Sequence, residues 1–259
     1  MREGQSYEDL VSEALAAPFT GWDFSFVEDR LRGGDLPWCY DDMASAEISE
    51  STRLLDLDTG GGETLAGVLA SMLVSGRRPA HVVATESWLP NVPLARERLE
   101  RLGIAVRQST SGSPLPADDA EFDLVLNRHG GCPPTELRRV LAPGGVYLTQ
   151  GVGRRNDIEF NTALGGPPPR YSETATLDHA VTTLEHHGFE IAEAEEVFVE
   201  VGFRDIGAVV FHLSAVSWQV PGFDVTTYDG PLRELDARIR REGPFVVRNH
   251  RFMVKAIRR

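Results

Sequence analysis

Cysteine is scarce: Cys39 and Cys132 are the only two in 259 residues. Two thiols are too few for a disulfide framework or a Cys-rich metal site, and no metal is expected. Long apolar runs are missing too. Nothing approaches the ~20 apolar residues of a membrane span, so no membrane partner is expected. The N-terminus carries Glu3, Glu8, Asp9 and Glu13 with no apolar core, which is not the pattern of a signal peptide. A reducing cytoplasm is the compartment these features imply. Basic charge is also in short supply. Lys and Arg number 26 against 39 Asp and Glu, a formal net charge of −13, which opposes a generic polyanion-binding surface. The deficit is uneven. Residues 1 to 63 hold fifteen acids and four bases, whereas residues 231 to 259 hold nine bases and three acids. A local basic face near the C-terminus, and an RNA contact there, stays open beside the plainer reading of a solvated surface.

What is present is a strand that runs into glycines. Leu54-Leu55-Asp56-Leu57 leads to Asp58-Thr59-Gly60-Gly61-Gly62-Glu63. Leu65, Val68, Leu69, Met72 and Leu73 follow at helical spacing. Glycines let a backbone approach a ligand closely, and a helix start offers free N–H groups. The next apolar strand, His81 to Thr85, ends at Glu86, an acid suited to ribose hydroxyls. A dinucleotide fingerprint would space its glycines as G-x-G-x-x-G; here they form one run after Asp56-x-Asp58-Thr59.

That arrangement resembles the first motif of the class I S-adenosylmethionine-dependent methyltransferases: an acid, any residue, then glycines at alternate positions. Asp58 stands where the first glycine usually stands. Asp adopts left-handed backbone angles more readily than most residues, so the turn is expected to form. Glu121-Phe122-Asp123-Leu124-Val125-Leu126-Asn127 resembles that family's fourth strand, and Leu141-Ala142-Pro143-Gly144-Gly145 its turn into strand five. The ordered set spans residues 53 to 150. Asn127-Arg128-His129, Thr149 to Gly153 and Trp218 to Phe223 further resemble the methyltransferase type 11 group. The resemblance implies an α/β fold: a Rossmann-like, seven-stranded methyltransferase sheet flanked by helices.

The core is expected at residues 51–201 and 249–259. Residues 1–50, rich in aromatics (Trp22, Phe24, Phe26, Trp38, Tyr40), are read as a lid or as rings packed on the core's edge. Residues 202–248 exceed a hairpin and carry two helical patterns, Ile206 to Ala215 and Leu232 to Arg240, which suggests a helical cap insertion. Gly151 to Arg170 reads as a loop.

In open α/β sheets ligands bind beyond the carboxyl ends of the strands. The resemblance therefore implies S-adenosylmethionine as cofactor, held by Asp56, Asp58, Thr59, Gly60, Gly61, Gly62, Glu86, Ser87, Trp88, Asn91, Ser109 and Asn127. His129, after strand four, is the candidate base, since histidine titrates near neutrality; it serves equally as a residue bonding the backbone before Gly130-Gly131. Its neighbour Arg128 is the candidate partner of an acidic acceptor group. Trp22, Phe160, Trp218 and Phe223 are candidate walls for a flat or hydrophobic acceptor, with a core role as credible for Trp218. The expected activity is methyl transfer to an oxygen or nitrogen of a small molecule. The alternatives are an RNA methyltransferase and a methyltransferase-like protein that binds the cofactor without transferring methyl.

Overall fold

A computed structural model describes residues 4–50, 52–74, 76 and 78–259, the side chains of 73 and 74 apart. Residues 1–3 of the expected lid, residue 51 at the expected start of the core, and the Leu73 side chain of the helical stripe lie outside the described set. In chain order the elements are α1 (Tyr7–Ala16), a 3-10 turn (Ser25–Arg30), β1 (Leu31–Gly33), α2 (Tyr40–Glu47), β2 (Arg53–Leu57), α3 (Glu63–Val74), β3 (His81–Glu86), α4 (Val92–Leu99) and β4 (Ala105–Gln108). There follow β5 (Phe122–Arg128), α5 (Pro134–Val140), β6 (Leu141–Val152), α6 (Ile158–Leu164), α7 (Leu177–His186), β7 (Phe189–Phe203), α8 (Ile206–Ala215), α9 (Asp229–Glu242) and β8 (Phe245–Arg258). The strands form one eight-stranded sheet in the order β1-β7-β8-β6-β5-β2-β3-β4. It has one strand more than expected, the three-residue β1, which pairs antiparallel with the end of β7. Among the described residues no helix is long and apolar enough to cross a membrane.

The chain divides into two compact units. One comprises Pro37–Gly151, Thr176–Glu196 and Phe252–Arg259. Its strands β2, β3, β4, β5 and β6 run parallel, with Leu54 opposite Val82 on one side and Leu124 on the other. Successive side chains in a strand point to opposite faces, and the apolar runs of β2 and β5 are buried on both. Leu54, Leu124 and Leu126 pack with Leu65, Val68, Leu69 and Met72 of α3 and Leu99 of α4. Leu55, Leu57 and Val125 pack with Leu137 and Val140 of α5 and Leu184 of α7. Helices thus cover both faces, as a parallel sheet requires. The strand order reverses between β2 and β5, and this is where such sheets leave a crevice for a ligand.

The other unit comprises Met1–Leu36, Val152–Ala175 and Val197–Arg251. Its core is built on α8, which is apolar nearly all round: Ile206, Ala208, Val209, Val210, Phe211 and Leu213 are all buried. Asp205 caps it, accepting from Ala208 N–H at 2.9 Å. Leu10, Val11 and Ala14 of α1 and Leu232, Leu235 and Ile239 of α9 pack in the same cluster.

One stretch differs from the sequence expectation. Gly151 to Arg170 is not all loop. It contains α6, bounded by left-handed residues at Asp157 (φ 53°) and Gly165 (φ 61°). Phe160 on α6 is fully buried against Phe203 and Phe245, so the structure corrects its reading as an acceptor wall: it is a core side chain. Removing a buried phenylalanine costs about 3–5 kcal/mol. Phe160→Ala should therefore lose about that much stability in urea unfolding, a loss that a side chain lining an open surface would not produce.

Candidate functional site

The turn after β2 forms as a glycine loop with left-handed angles at Asp58 (φ 49°), Gly60 (φ 65°) and Gly62 (φ 82°). Asp58 thus takes the conformation a glycine would supply. Thr59 N–H donates to the Thr85 carbonyl at 2.9 Å and Gly62 N–H to the Thr59 carbonyl at 3.0 Å. A Cβ on Gly62 would lie 2.8 Å from Leu99, so α4 packs where only glycine fits. The Gly61 carbonyl accepts from Arg98, which also pairs with Glu63.

Glu86, at the end of β3, is buried at 3 % exposure. Gly60 N–H donates to its Oε2 and Trp88 N–H to its Oε1, each at 2.6 Å. Burial raises its pKa and these two bonds oppose the rise. Asp58 accepts from the Ser87 hydroxyl at 2.9 Å. Asp56 is buried, and burial with the charges of Asp58 and Glu86 pushes its pKa up to about 7. Three carboxylates therefore converge on one glycine turn. Among the described residues no three His, Cys, Asp or Glu side chains are placed to hold a metal ion, these three included.

The other residues expected here have varied surroundings. Trp88 is 63 % exposed. Ser109 N–H donates to the Glu86 carbonyl at 3.0 Å, which brings the end of β4 beside the acid. Asn91 is buried where α4 begins. Asn127 is buried at the end of β5, its Nδ2 donating to Tyr147 Oη at 2.9 Å and its Oδ1 accepting from Gly130 N–H at 2.9 Å. It holds the turn after β5. Arg128 is exposed; it donates to Thr64 Oγ1 at 2.9 Å and its guanidinium lies 6.0 Å from the Tyr40 ring centre. His129 has a left-handed backbone (φ 70°), its N–H donates to the Gln150 carbonyl at 2.8 Å, and its Nε2 lies 3.1 Å from Gln150 Nε2. A Cβ on Gly130 would lie 2.8 Å from Asp58 Cβ, so the turn after β5 comes directly against the glycine loop.

Tyr40, read from the sequence only as one of the aromatics of residues 1–50, lies beside this acid cluster. It is buried at the start of α2, and burial, with Asp56 adding to it, raises its phenol well above the ordinary range. No local motif marks it; only folding brings α2 near β2. Burial also pushes the Cys132 thiol up to about 12, which makes it a poor nucleophile. Trp22, Trp218 and Phe223 belong to the other unit. Trp22 and Trp218 meet edge to face at 5.9 Å, and Phe223 stacks on Tyr228 at 5.7 Å.

No family model and no curated relative matches the chain. Solved structures do. A functionally unknown protein from Deinococcus radiodurans is 18 % identical, with a TM-score of 0.59 over 87 % of this chain and 89 % of its own. A candidate methyltransferase from Bacillus halodurans is 19 % identical, with a TM-score of 0.56 over 83 % and 96 %. The chain has the class I methyltransferase fold. The [4+2]-cyclase SpnF is similar as well, at 17 % identity and a TM-score of 0.50 over 84 % of this chain and 80 % of its own.

The acid cluster has a pH signature. Asp56 takes up its proton near pH 7 when folded and near pH 4 when unfolded, so the folded state binds more protons between those values. Stability should therefore fall as pH rises from about 4 through about 7, by on the order of 2–4 kcal/mol. Asp56→Asn should flatten that fall in urea unfolding measured across the same range.

Proposed function

We propose that the chain is an S-adenosylmethionine-dependent methyltransferase acting on an oxygen or nitrogen of a small-molecule acceptor. The observation that carries the reading is the glycine turn bonded to a strand-end glutamate, with Asp56 and Asp58 beside it. That set of carboxylate acceptors suits the cofactor, whose ammonium and sulfonium are both cationic. When bound, the cofactor supplies an electrophilic methyl carbon on a positive sulfur. The chain's own residues bind and orient. Gly60 to Gly62 let the backbone come close to the methionine portion. Glu86 keeps acceptor capacity for ribose hydroxyls, because each carboxylate oxygen accepts more than one hydrogen bond. Trp88, Asn91 and Ser109 are assigned to the adenosine side. Arg128 offers a cation to an acidic acceptor group. Rate then comes chiefly from proximity and alignment.

An RNA acceptor is disfavoured by charge pairing. Of the nine bases in residues 231 to 259, seven sit in ion pairs: Arg233, Arg238, Arg240, Arg241, Arg248, Lys255 and Arg259. Little unpaired positive charge is left for phosphates. A second reading, cofactor binding without methyl transfer, draws on Asp58 in the glycine position and on the likeness to a protein described as a [4+2]-cyclase. Product mass from an acceptor screen separates the two: methylated product supports the first, cofactor binding with only unmethylated products the second.

Calorimetry on the purified chain tests the cofactor itself. S-adenosylmethionine should bind, and binding near neutral pH should release a proton as the cation draws Asp56 into its ionised form. The absence of any heat or thermal shift at saturating cofactor would remove both readings. Asp58→Asn should narrow the preference for the sulfonium cofactor over its neutral thioether product, by about 0.5–1 kcal/mol for one partly solvated charge. An unchanged ratio of the two affinities would show that Asp58 does not sense the ligand's charge.

A further inference from the structure

A hydrogen-bond chain joins Trp38, Gln150 and His129. Trp38 Nε1–H donates to Gln150 Oε1 at 2.8 Å, and Gln150 Nε2 lies 3.1 Å from His129 Nε2. All three residues belong to one unit. The chemistry of the groups fixes the direction. An indole N–H can only donate, so the amide atom it meets must be the oxygen. The amide nitrogen then faces the imidazole, and an amide nitrogen also only donates. His129 Nε2 must accept that bond with its lone pair. The imidazole is therefore neutral, with its proton on Nδ1.

We propose that Gln150 is a positioning residue that occupies Nε2 of His129 and holds it as the neutral Nδ1–H tautomer, so that His129 does not serve the reaction as a base. The role in a reaction rests on the methyltransferase reading; the tautomer does not. Two features make the device stiff. Gln150 is 2 % exposed, and reversing its amide would set two donors face to face at Trp38. The Gln150 carbonyl also accepts His129 N–H at 2.8 Å, so the same residue anchors both backbone and ring. The consequence for chemistry is specific. The lone pair a base would use is occupied, so the site suits an acceptor whose nucleophilic atom needs no deprotonation by this histidine, such as a carboxylate or another oxygen that arrives ionised.

The test is the imidazole nitrogen spectrum of the full-length, ¹⁵N-labelled chain, recorded without cofactor above neutral pH, with the His129 signals assigned by their loss in His129→Asn. The wild type should give a pyridine-like Nε2 and a pyrrole-like Nδ1. Gln150→Leu removes the donor, and Trp38→Phe removes the group that orients it; in both, the balance should move toward the Nε2–H form that free imidazole side chains prefer. Gln150→Glu places an acceptor opposite Nε2 and should make it pyrrole-like. A wild-type spectrum with the proton on Nε2 would overturn the proposal without any variant. So would an unchanged tautomer in folded Gln150→Leu, since the ring would then be set by something else. Failure here with normal cofactor calorimetry removes the positioning role alone. Loss of calorimetric binding with the predicted tautomer removes the methyltransferase reading alone.

Discussion

The carboxylate of Glu86 is the interaction on which the site depends. It is buried, and a buried carboxylate is costly unless donors face it. The donors are the backbone N–H groups of Gly60 and Trp88, each at 2.6 Å. One side chain thus ties the glycine loop after β2 to the segment after β3. The loop's shape and the acid's charge are consequently a single problem. Asp56 and Asp58 add two further carboxylates to the same neighbourhood, and Asp56 responds by keeping its proton up to about pH 7. A ligand that brings positive charge relieves all three acids together. Stability and ligand charge are therefore coupled through this cluster.

Much of this was legible in the sequence because it is local. The strand Leu54 to Leu57, the glycine run and the acid at position 86 lie within about one βαβ unit, and a buried parallel strand announces itself as an unbroken apolar run. What failed to show was decided by distant partners. The bonds of Asn127 to Tyr147 and Gly130 join its amide to a residue 20 positions away and to the turn after β5. Phe160 sits in a glycine- and proline-rich stretch that reads as loop. The short helix around it is bounded by left-handed residues and owes its burial to Phe203 and Phe245. Trp38 and Gln150 are 112 positions apart, beyond any periodicity argument. The three-residue β1 is too short for a pattern of two to register.

Charge counts mislead in the same way. The C-terminal stretch is basic as a string of letters, but α9 pairs its arginines within the helix, Arg233 with Asp229, Arg238 with Glu242 and Arg240 with Asp236. Exposed pairs of this kind contribute little stability. Their effect is on the field: each paired guanidinium is a weaker attractor for phosphate than its charge suggests. The net charge of −13 then describes the surface better than the local excess does.

Asp58 is the departure from the glycine pattern of the methyltransferases that the sequence resembles, and its surroundings indicate how the departure is accommodated. A non-glycine residue at φ 49° is tolerable for aspartate. Its Cβ has room because position 130 is glycine; any Cβ there would lie 2.8 Å away. Its carboxylate has a donor because position 87 is serine. Three positions far apart in sequence agree on one acid, and agreement across levels is what separates a built feature from a defect. The loop keeps its geometry without the glycine. What the aspartate changes is therefore not the shape of the turn but its charge.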